Sequence, residues 1–558
     1  MSVAVVLCAL ASLASAAPSL KSRVALPIVD LGYQKQQASG INATGGFYNF
    51  SNIRYAAPPL GNLRFAAPQE PDQNATVNDG LDGRVCPQAI PSWTGYATQF
   101  LAQYLLTGNS TPPVLPTTNR TLPPDSRENE DCLFLDVLVP TDIFDSQTNG
   151  SKGAPVLVWI YGGGYTEGSK GGSGDASGLI ARSRTGTNGV VFVELNYRLG
   201  AFGWSSGPSL QANGSANAGL LDQRFALEWV QKHISKFGGD PERVTIIGES
   251  AGGGSVMHQI TAYGGLKGPV PFQQAIPQSP GFQPTTSNFQ QEETLQAFLQ
   301  LLNVSTIQEA RQLPSSALIQ ANSQQISAAS YGQFTYGPVV DGDFAPALPG
   351  QLLQRGQFDH SLRILSAHNT NEGLLFSSPF VQNDTASVAQ LQEFFPDADP
   401  LVILYISTQL YPSVFDGSQG YTSQLQREAL LVSEYVFTCN DFYLAKAFGN
   451  QTYEYVFSVP PGIHGEDIPY TFFNGIISNV PASGAQSSAV AIALQEYVTN
   501  FAETGDPNGD GLVNFPMYGP NATVQIINVN PDQSVNLTQG IDPAANSRCN
   551  WWQQAQYF

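Results

Sequence analysis

The sequence predicts an α/β fold with a large, mostly parallel central sheet and helices on both faces. Short apolar strands alternate with amphipathic helices from Leu133 to Gly281, and this alternation is typical of parallel strands joined by helical crossovers. The 558-residue chain contains no internal repeat. Its later half is rich in Gln and Pro, which favours loops and helices that wall a pocket.

The segment VTIIGESAGGGSVM, at 244–257, contains the most informative motif of the chain. Four strand-forming residues lead into Gly248-Glu249-Ser250-Ala251-Gly252, and a helix is expected to follow. A G-x-S-x-G sequence between a strand and a helix forms the nucleophile elbow of α/β-hydrolases. We therefore predict an α/β-hydrolase fold with Ser250 as the nucleophile, and a Gly-rich helix-capping turn is the alternative.

A serine hydroxyl needs a base, and the chain has five histidines among which to look for it. His464 lies far downstream of the serine in a loop rich in Gly and Pro, as the chain order of this fold requires. His258 follows the serine too closely, and His233 is expected at the surface of an amphipathic helix. His360 and His368 are expected in a loop and at a strand end. We therefore predict His464 as the base, which would lose its proton at about pH 6–7.

The acid that orients the base should lie between Ser250 and His464, in a loop that follows a strand. The segment LRILSA, at 362–367, predicts such a strand, and Glu372 lies in the loop after it. Asp341 and Asp343 are alternatives that position alone does not exclude.

Donors for the oxyanion are expected at an earlier junction between a strand and a loop. The apolar segment VLVWIY, at 156–161, predicts a buried strand, and Gly162-Gly163-Gly164 follows it directly. Glycines let the backbone approach a substrate closely and point its N–H groups inward. Each such donor typically contributes about 3–4 kcal/mol to transition-state stabilisation.

With these motifs, the chain resembles the type B carboxylesterase and lipase family, which includes cholinesterases and secreted fungal lipases. The resemblance covers nearly the whole chain in order. Its motifs are IRYAAPPLGNLRFAAPQEP (53–71), EDCLFLDV (130–137), WIYGGGYTEG (159–168), ELNYRLGAFGW (194–204), the long stretch at 220–256, QSPG (278–281), NTNEG (369–373) and GIHGEDIPYTF (462–472).

The resemblance implies a role for each candidate residue and decides for Glu372 over the two aspartates. Its implied roles are Ser250 as nucleophile, His464 as general base and then general acid, Glu372 as orienting acid, and Gly163, Gly164 and Ala251 as oxyanion donors. It implies hydrolysis of neutral carboxyl esters through an acyl-enzyme, without a cofactor. The alternatives are a lipase or sterol esterase for long-chain acyl esters and, less favoured, a non-catalytic binding or adhesion protein.

The cysteines are also paired by the resemblance. It implies disulfides Cys86–Cys132 and Cys439–Cys549, while Cys8 would leave with a leader peptide. The Pro-rich stretch Thr107–Ser126, which is the best candidate for a linker, then lies inside the first disulfide loop. We therefore expect residues 18–558 to form a single α/β-hydrolase domain. The resemblance also implies a structural pair between Arg64 and Glu130 near this loop.

Several features favour secretion. Residues 1–17 are apolar and end in a small-x-small cleavage pattern, which predicts a secretory signal peptide. The net charge of −20 argues against nucleic acid and anionic membranes as partners, so a small-molecule or lipid ester is the expected partner, with no membrane segment after signal removal. Twelve glycosylation sequons are present, at Asn42, Asn49, Asn74, Asn109, Asn119, Asn149, Asn213, Asn303, Asn383, Asn450, Asn521 and Asn536.

Two further segments bear on substrate and metal binding. The uncharged, aromatic stretch at 93–106 is either a mobile lid over an apolar pocket or a permanent wall. Cholinesterases carry a tryptophan where this chain has Leu122, so no strong preference for choline esters is expected. The segment Asp506–Gly511 resembles the start of an EF-hand loop, but Met517 stands at its twelfth position. We therefore assign no metal site from the sequence.

Overall fold

A computed structural model describes residues 25–43, 45–112, 125–146, 153–185, 189–478 and 483–557. The predicted signal peptide, Leu122 and the sequons at Asn119 and Asn149 lie outside these ranges. The strands are β1 (Ile28–Asp30), β2 (Lys35–Gln37), β3 (Gly40–Asn42), β4 (Phe47–Arg54), β5 (Val77–Asn78), β6 (Phe134–Pro140), β7 (Ala154–Ile160), β8 (Val191–Leu195), β9 (Gly239–Glu249), β10 (Gln274–Gln278), β11 (Arg363–Asn369), β12 (Tyr453–Phe457), β13 (Thr523–Val529) and β14 (Val535–Ile541).

The α-helices come mostly between and after these strands. They are α1 (Trp93–Thr107), α2 (Thr141–Ser146), α3 (Ser177–Ser183), α4 (Gly200–Trp204), α5 (Pro208–Gln211), α6 (Ala218–His233), α7 (Ala251–Ile260), α8 (Asn288–Leu301), α9 (Ile307–Ala310), α10 (Ser315–Ser327), α11 (Pro349–Gln354), α12 (Asp384–Phe394), α13 (Pro400–Tyr405), α14 (Gln424–Val432), α15 (Cys439–Ala447), α16 (Ile468–Thr471), α17 (Ser488–Thr504) and α18 (Ser547–Gln553). No helix within the described ranges is both long and apolar enough to cross a membrane.

An 11-stranded mixed sheet forms the centre of the protein, in the order β14-β13-β12-β11-β10-β9-β7-β8-β6-β4-β3. The strands from β8 to β13 in this order are parallel to one another, and antiparallel strands extend the sheet at both ends. Every residue of β7 is buried, as expected for a parallel strand covered on both faces. The predicted α/β-hydrolase fold is confirmed.

Helix α17 is fixed to the centre of the sheet by side-chain hydrogen bonds. Gln274 Nε2, on β10, donates to the carbonyl oxygen of Phe501 at 2.8 Å. Thr245 Oγ1, on β9, donates to Gln274 Oε1 at 2.8 Å. Neighbouring central strands are thereby linked to one another and to the last turns of the helix, which holds the strand that leads into Ser250.

His233 is buried, contrary to the sequence-based expectation of a surface position. Its side chain has 4% relative exposure, and its ring lies 5.8 Å from the Tyr33 ring and 5.2 Å from the Trp229 ring. The periodicity of α6 alone could not predict that His233 is buried, because Tyr33, which packs against it, comes from the N-terminal segment.

Both disulfides form as the resemblance implied, joining Cys86 to Cys132 and Cys439 to Cys549. Arg64 makes a bidentate ion pair with Glu130, through Nε at 2.8 Å and Nη2 at 2.7 Å. Its Nη1 donates to the carbonyl oxygens of Arg311 and Leu313. Arg64 is 7% exposed and Glu130 is 3% exposed, so the pair links the first disulfide loop to the segment between α9 and α10.

Removing either partner of the Arg64–Glu130 pair should destabilise the protein. Arg64→Ala or Glu130→Ala leaves a buried charge without its partner, at an expected loss of about 3–5 kcal/mol in unfolding free energy. The exposed Arg127–Asp125 pair is the matched control, for which we expect about 0–1 kcal/mol. Chemical denaturation of the single and double variants measures both couplings, and equal values for the two pairs would contradict a structural role.

Candidate active site

Ser250 lies at a sharp turn between β9 and α7. Its backbone has φ 59° and ψ −122°, a region that side-chain-bearing residues rarely occupy. The glycines on either side make the turn possible. A Cβ atom at Gly248 would lie 2.6 Å from the carbonyl oxygen of Ile160, and one at Gly252 would lie 2.0 Å from it. The strained turn is the predicted nucleophile elbow.

The structure brings the three predicted catalytic side chains together. The Oγ of Ser250 lies 2.8 Å from Nε2 of His464, and Nδ1 of His464 is hydrogen-bonded to Oε2 of Glu372. The two alternative acids, Asp341 and Asp343, interact with other residues. Asp341 accepts a hydrogen bond from the Asn217 side chain, and Asp343 pairs with Lys267.

Glu372 is fully buried, and donors hold its carboxylate in the charged form. Its Oε1 accepts hydrogen bonds from Ser279 Oγ at 2.6 Å and from the backbone N–H of Asn369 at 2.5 Å. Burial alone would raise the pKa of Glu372, but His464 and these hydrogen bonds outweigh it and lower the pKa below its usual value. The carboxylate of Glu372, the predicted acid, is therefore ionised and held in position by the protein itself.

A second carboxyl group, on Glu249, faces the same imidazole. Its Oε1 lies 3.5 Å from Nε2 of His464, and burial raises the pKa of Glu249 to about 8. Burial also lowers the pKa of His464, but the carboxylates of Glu372, Glu249 and Asp467 together raise it to about 9. This value is higher than the sequence alone suggested, because the sequence does not show how many carboxyl groups surround the ring.

The predicted oxyanion donors lie next to the nucleophile. A Cβ atom at Gly162 would be 2.9 Å from Ser250 Cβ, and one at Gly163 would be 2.3 Å from the carbonyl oxygen of Glu167. Gly163 and Gly164 have positive φ angles of 100° and 59°. Ala251 is the first residue of α7, and the first amides of a helix have no carbonyl partner within it. Gly164 and Ala251 line the same pocket as Ser250, and the role of Gly163, Gly164 and Ala251 as oxyanion donors stays a prediction.

A pocket opens at Ser250, and the described residues that line it include no charged side chain. Its apolar part includes Phe334, Phe376, Val432, Val436 and Phe437. Its polar part includes Gln283, Thr285, Gln290, Gln291 and Thr294. Such a lining fits a neutral ligand that has both apolar and hydrogen-bonding groups.

Helix α1, which holds the stretch at 93–106, packs behind two residues that line the pocket, Phe334 and Phe376, whose rings contact Trp93. Trp93 is 4% exposed, and its indole N–H donates to the carbonyl oxygen of Gln333 at 2.7 Å. Phe100 and Leu101 pack in a small apolar cluster with Ile463, the residue before the predicted base. In this arrangement the helix supports the loops that hold the acid and the base.

Sequence reasoning assigned no role to three residues that shape this site. Glu249 lies inside the G-x-S-x-G motif itself, Ser279 lies in the QSPG motif, and Asp467 follows the predicted base by three residues. Ser279 bonds directly to Glu372, whereas the other two carboxyl groups act on the pKa of His464. Their positions in or beside the family motifs were the only sequence signal for a role in the site. Their effect on Glu372 and His464 depends on burial, which the sequence does not show.

Fold and site together define an α/β-hydrolase in which a serine contacts a histidine and the histidine contacts a carboxylate. The sequence model of a protein family, described as the carboxylesterase family, matches residues 32–552 of this chain. The chain belongs to this family and is a carboxylic ester hydrolase.

Two curated relatives and one solved structure illustrate the family. The chain is 41% identical to "Carboxylesterase patB" of Penicillium expansum, over 95% of this chain and 96% of the relative. It is 29% identical to "Secreted lipase 1" of Botryotinia fuckeliana, over 91% and 90% of the two chains. The structure of Aspergillus niger EstA matches with a TM-score of 0.77 and 24% identity, over 95% of this chain and 98% of that chain, which shows the shared fold.

The elbow should not tolerate a side chain at Gly252. Gly252→Ala places a methyl group against the Ile160 carbonyl oxygen, and we expect a loss at the upper end of about 1–3 kcal/mol in unfolding free energy. Gly40→Ala is the control, because a Cβ atom there meets nothing within 4 Å. Thermal unfolding compares the two, and a Gly252→Ala protein as stable as the control would contradict the tight elbow.

Proposed function

We propose that the protein hydrolyses neutral carboxyl esters through an acyl-enzyme formed on Ser250. The observation that carries this proposal is the chain of contacts from Ser250 Oγ to His464 and on to Glu372. Membership of the carboxylesterase family supports the reaction class. The intact serine, histidine and carboxylate argue against a non-catalytic binding or adhesion protein.

In the proposed mechanism His464 accepts the proton of Ser250 as Oγ attacks the ester carbonyl carbon. The ionised Glu372 accepts a hydrogen bond from Nδ1–H and thereby leaves Nε2 free to act as the base. Backbone N–H groups of Gly163, Gly164 and Ala251 stabilise the oxyanion. His464 then gives its proton to the leaving alcohol, and water attacks the acyl-enzyme by the same steps to release the acid.

The pocket supports a compact, neutral ester with oxygen-containing groups as the substrate class. A charged ester would find no opposite charge among the described lining residues, and burying it unpaired is costly. Long acyl chains would meet amide and hydroxyl groups of Gln283, Thr285, Gln290, Gln291 and Thr294 in the lining. A lipase specific for long chains is the second candidate, because relatives near 29% identity are named secreted lipases.

We also infer that the protein is secreted as a single-domain glycoprotein. The named secreted lipases among its relatives support this inference. One sheet takes strands from Gly40 to Ile541, which supports a single domain over 18–558 once residues 1–17 are removed. Of the ten sequon asparagines in the described ranges, none is buried, so each could accept a glycan. N-terminal sequencing and glycan mapping of the secreted protein test these points.

Ser250→Ala should abolish hydrolysis without unfolding the protein. The change removes the proposed nucleophile, and we expect activity below about a thousandth of wild type. Ser255→Ala, in the helix that follows Ser250, is the control and should retain activity within a few-fold. Hydrolysis of p-nitrophenyl butyrate and circular dichroism give the two readouts. Residual activity above a thousandth would assign the nucleophile elsewhere.

The acyl preference should follow the polar part of the pocket. We expect kcat/KM to be highest for p-nitrophenyl acetate or butyrate and to fall toward palmitate, because a long acyl chain would bury the polar groups of the lining away from water. Gln291→Leu replaces one lining amide by an apolar side chain and should improve the longer esters relative to acetate. A maximum at palmitate in the wild-type protein would favour the lipase alternative.

The acid limb of the pH–activity profile should lie at a higher pH than an ordinary histidine would give. Only neutral His464 can accept a proton, so activity is lost as pH falls through its raised pKa of about 9. Glu249→Gln removes one carboxylate that stabilises the imidazolium, and the limb should move to lower pH. Stopped-flow kcat/KM between pH 5 and 10 measures the shift. A limb that does not move would show that Glu249 has no electrostatic effect on the base.

A further inference from the structure

Three ionisable side chains outside the active site meet in the interior of the protein. His368 lies on β11, Glu454 lies on β12, and Asp542 lies in the turn after β14. Their relative exposures are 1%, 0% and 2%. One ligand-type atom from each lies within 4.8 Å of those of the other two. This group, the His368 cluster, joins parts of the chain that are distant in sequence.

The imidazole of His368 is oriented as metal-binding histidines are. Its Nδ1 lies 2.9 Å from the carbonyl oxygen of Asn369. Donation of the Nδ1 proton to that carbonyl places the lone pair on Nε2. Nε2 is buried, has no hydrogen-bond partner among the described residues and faces Glu454 Oε1 at 3.9 Å. The lone pair is therefore directed into the cluster and is available there to bind an ion.

The distance between these two atoms suits an ion between them. At 3.9 Å they are too far apart for a hydrogen bond. Ligand nitrogen and oxygen atoms lie about 2.0–2.2 Å from Zn²⁺, so two ligands of one ion can be about 4 Å apart. Glu454 Oε1 is likewise buried and makes no hydrogen bond to any residue in the described ranges. His368 Nε2 and Glu454 Oε1 thus lie on either side of a position that an ion could occupy.

The remaining carboxylate oxygens are held by neighbours, which fixes the direction of both groups. Ser366 Oγ donates to Glu454 Oε2 at 3.5 Å. Tyr518 donates to Asp542 Oδ2 at 2.6 Å, and the Ala544 N–H donates to Asp542 Oδ1 at 2.6 Å. Such outer hydrogen bonds are typical of carboxylates that bind metal ions.

The charge of the cluster also calls for a cation. In the described part of the chain, no lysine or arginine forms an ion pair with Glu454 or Asp542. A further carboxyl group, on Asp441 in α15, is fully buried and feels the negative charge of both. Burying several carboxyl groups without a counter-charge is strongly unfavourable. Either protons or a metal ion must compensate them.

We propose that His368, Glu454 and Asp542 bind a divalent transition-metal ion, with Zn²⁺ as the best match to one imidazole and two carboxylates. Because all three ligands are buried, no substrate can reach the ion, and the site is structural. It differs from the turn at Asp506–Gly511, where the Asp506 carboxylate accepts hydrogen bonds from Asn508.

The ion would stabilise the strands that carry the proposed acid and base. β11 leads directly into the loop of Glu372, and β12 leads into the loop of His464. An ion bound by side chains of both strands and of the C-terminal turn would fix their relative positions. Its loss should lower thermal stability, because binding to the folded state alone contributes directly to stability.

Metal analysis of the wild-type protein is the deciding test. The full-length chain is expressed in zinc-supplemented medium, purified without a histidine tag and dialysed against EDTA to remove surface metal. Inductively coupled plasma mass spectrometry should then find close to one zinc ion per chain. Fewer than one transition-metal ion in ten chains would overturn the proposal, whether or not any variant folds.

Two variants and a matched control locate the ion. His368→Gln and Glu454→Gln should each lose most of the zinc and lower Tm relative to the wild-type protein. His233→Gln is the control, because His233 is similarly buried and has an unpartnered Nδ1 but is not part of a cluster of possible metal ligands among the described residues. It should keep its zinc. Full zinc content in His368→Gln, or equal loss in His233→Gln, would place the metal elsewhere and overturn the proposal.

Discussion

The proposed active site depends on the buried negative charge of Glu372. An ionised carboxylate inside a protein is stable only where hydrogen bonds and an opposite charge replace its hydration. Ser279, Asn369 and His464 supply these contacts. The same contacts fix the carboxylate in the position that orients His464 toward Ser250. The same contacts therefore stabilise the charge of Glu372 and align the site. Substitutions that remove such a contact should destabilise the charge and misalign His464.

The strand order explains how distant segments meet this requirement. β7, β9, β10, β11 and β12 are consecutive parallel neighbours in the sheet. Their carboxyl ends lie along one edge, where α/β proteins commonly bind ligands. The Gly162–Gly164 loop follows β7, Ser250 follows β9, Ser279 follows β10, Glu372 follows β11 and His464 follows β12. Each strand thus contributes one part of the site, and the sheet sets the spacing between the parts.

Local signals predicted the parts of the site that depend on local structure. The turn around Ser250 needs Gly248 and Gly252 beside it, so the serine was visible in the sequence. Position could not separate Glu372 from Asp341, because contact with His464 depends on pairing between β11 and β12, and only the family resemblance decided. The burial of His233 and the influence of Glu249 on His464 were missed for the same reason, since both come from packing between distant segments.

Buried carboxyl groups extend from the active site into the interior, and the two regions share an electrostatic environment. Asp441 feels the charge of Glu372 as well as that of Glu454 and Asp542. At the active site, hydrogen-bond donors and His464 compensate the negative charge. In the His368 cluster, two facing atoms have no such partner in the part of the chain that the structure describes. A cation there would reduce the negative potential beneath Glu372, and protons would do so only while the pH stays below the raised pKa of those carboxyl groups. A bound ion would thus keep the electrostatics under the site constant across the pH range in which His464 must be neutral.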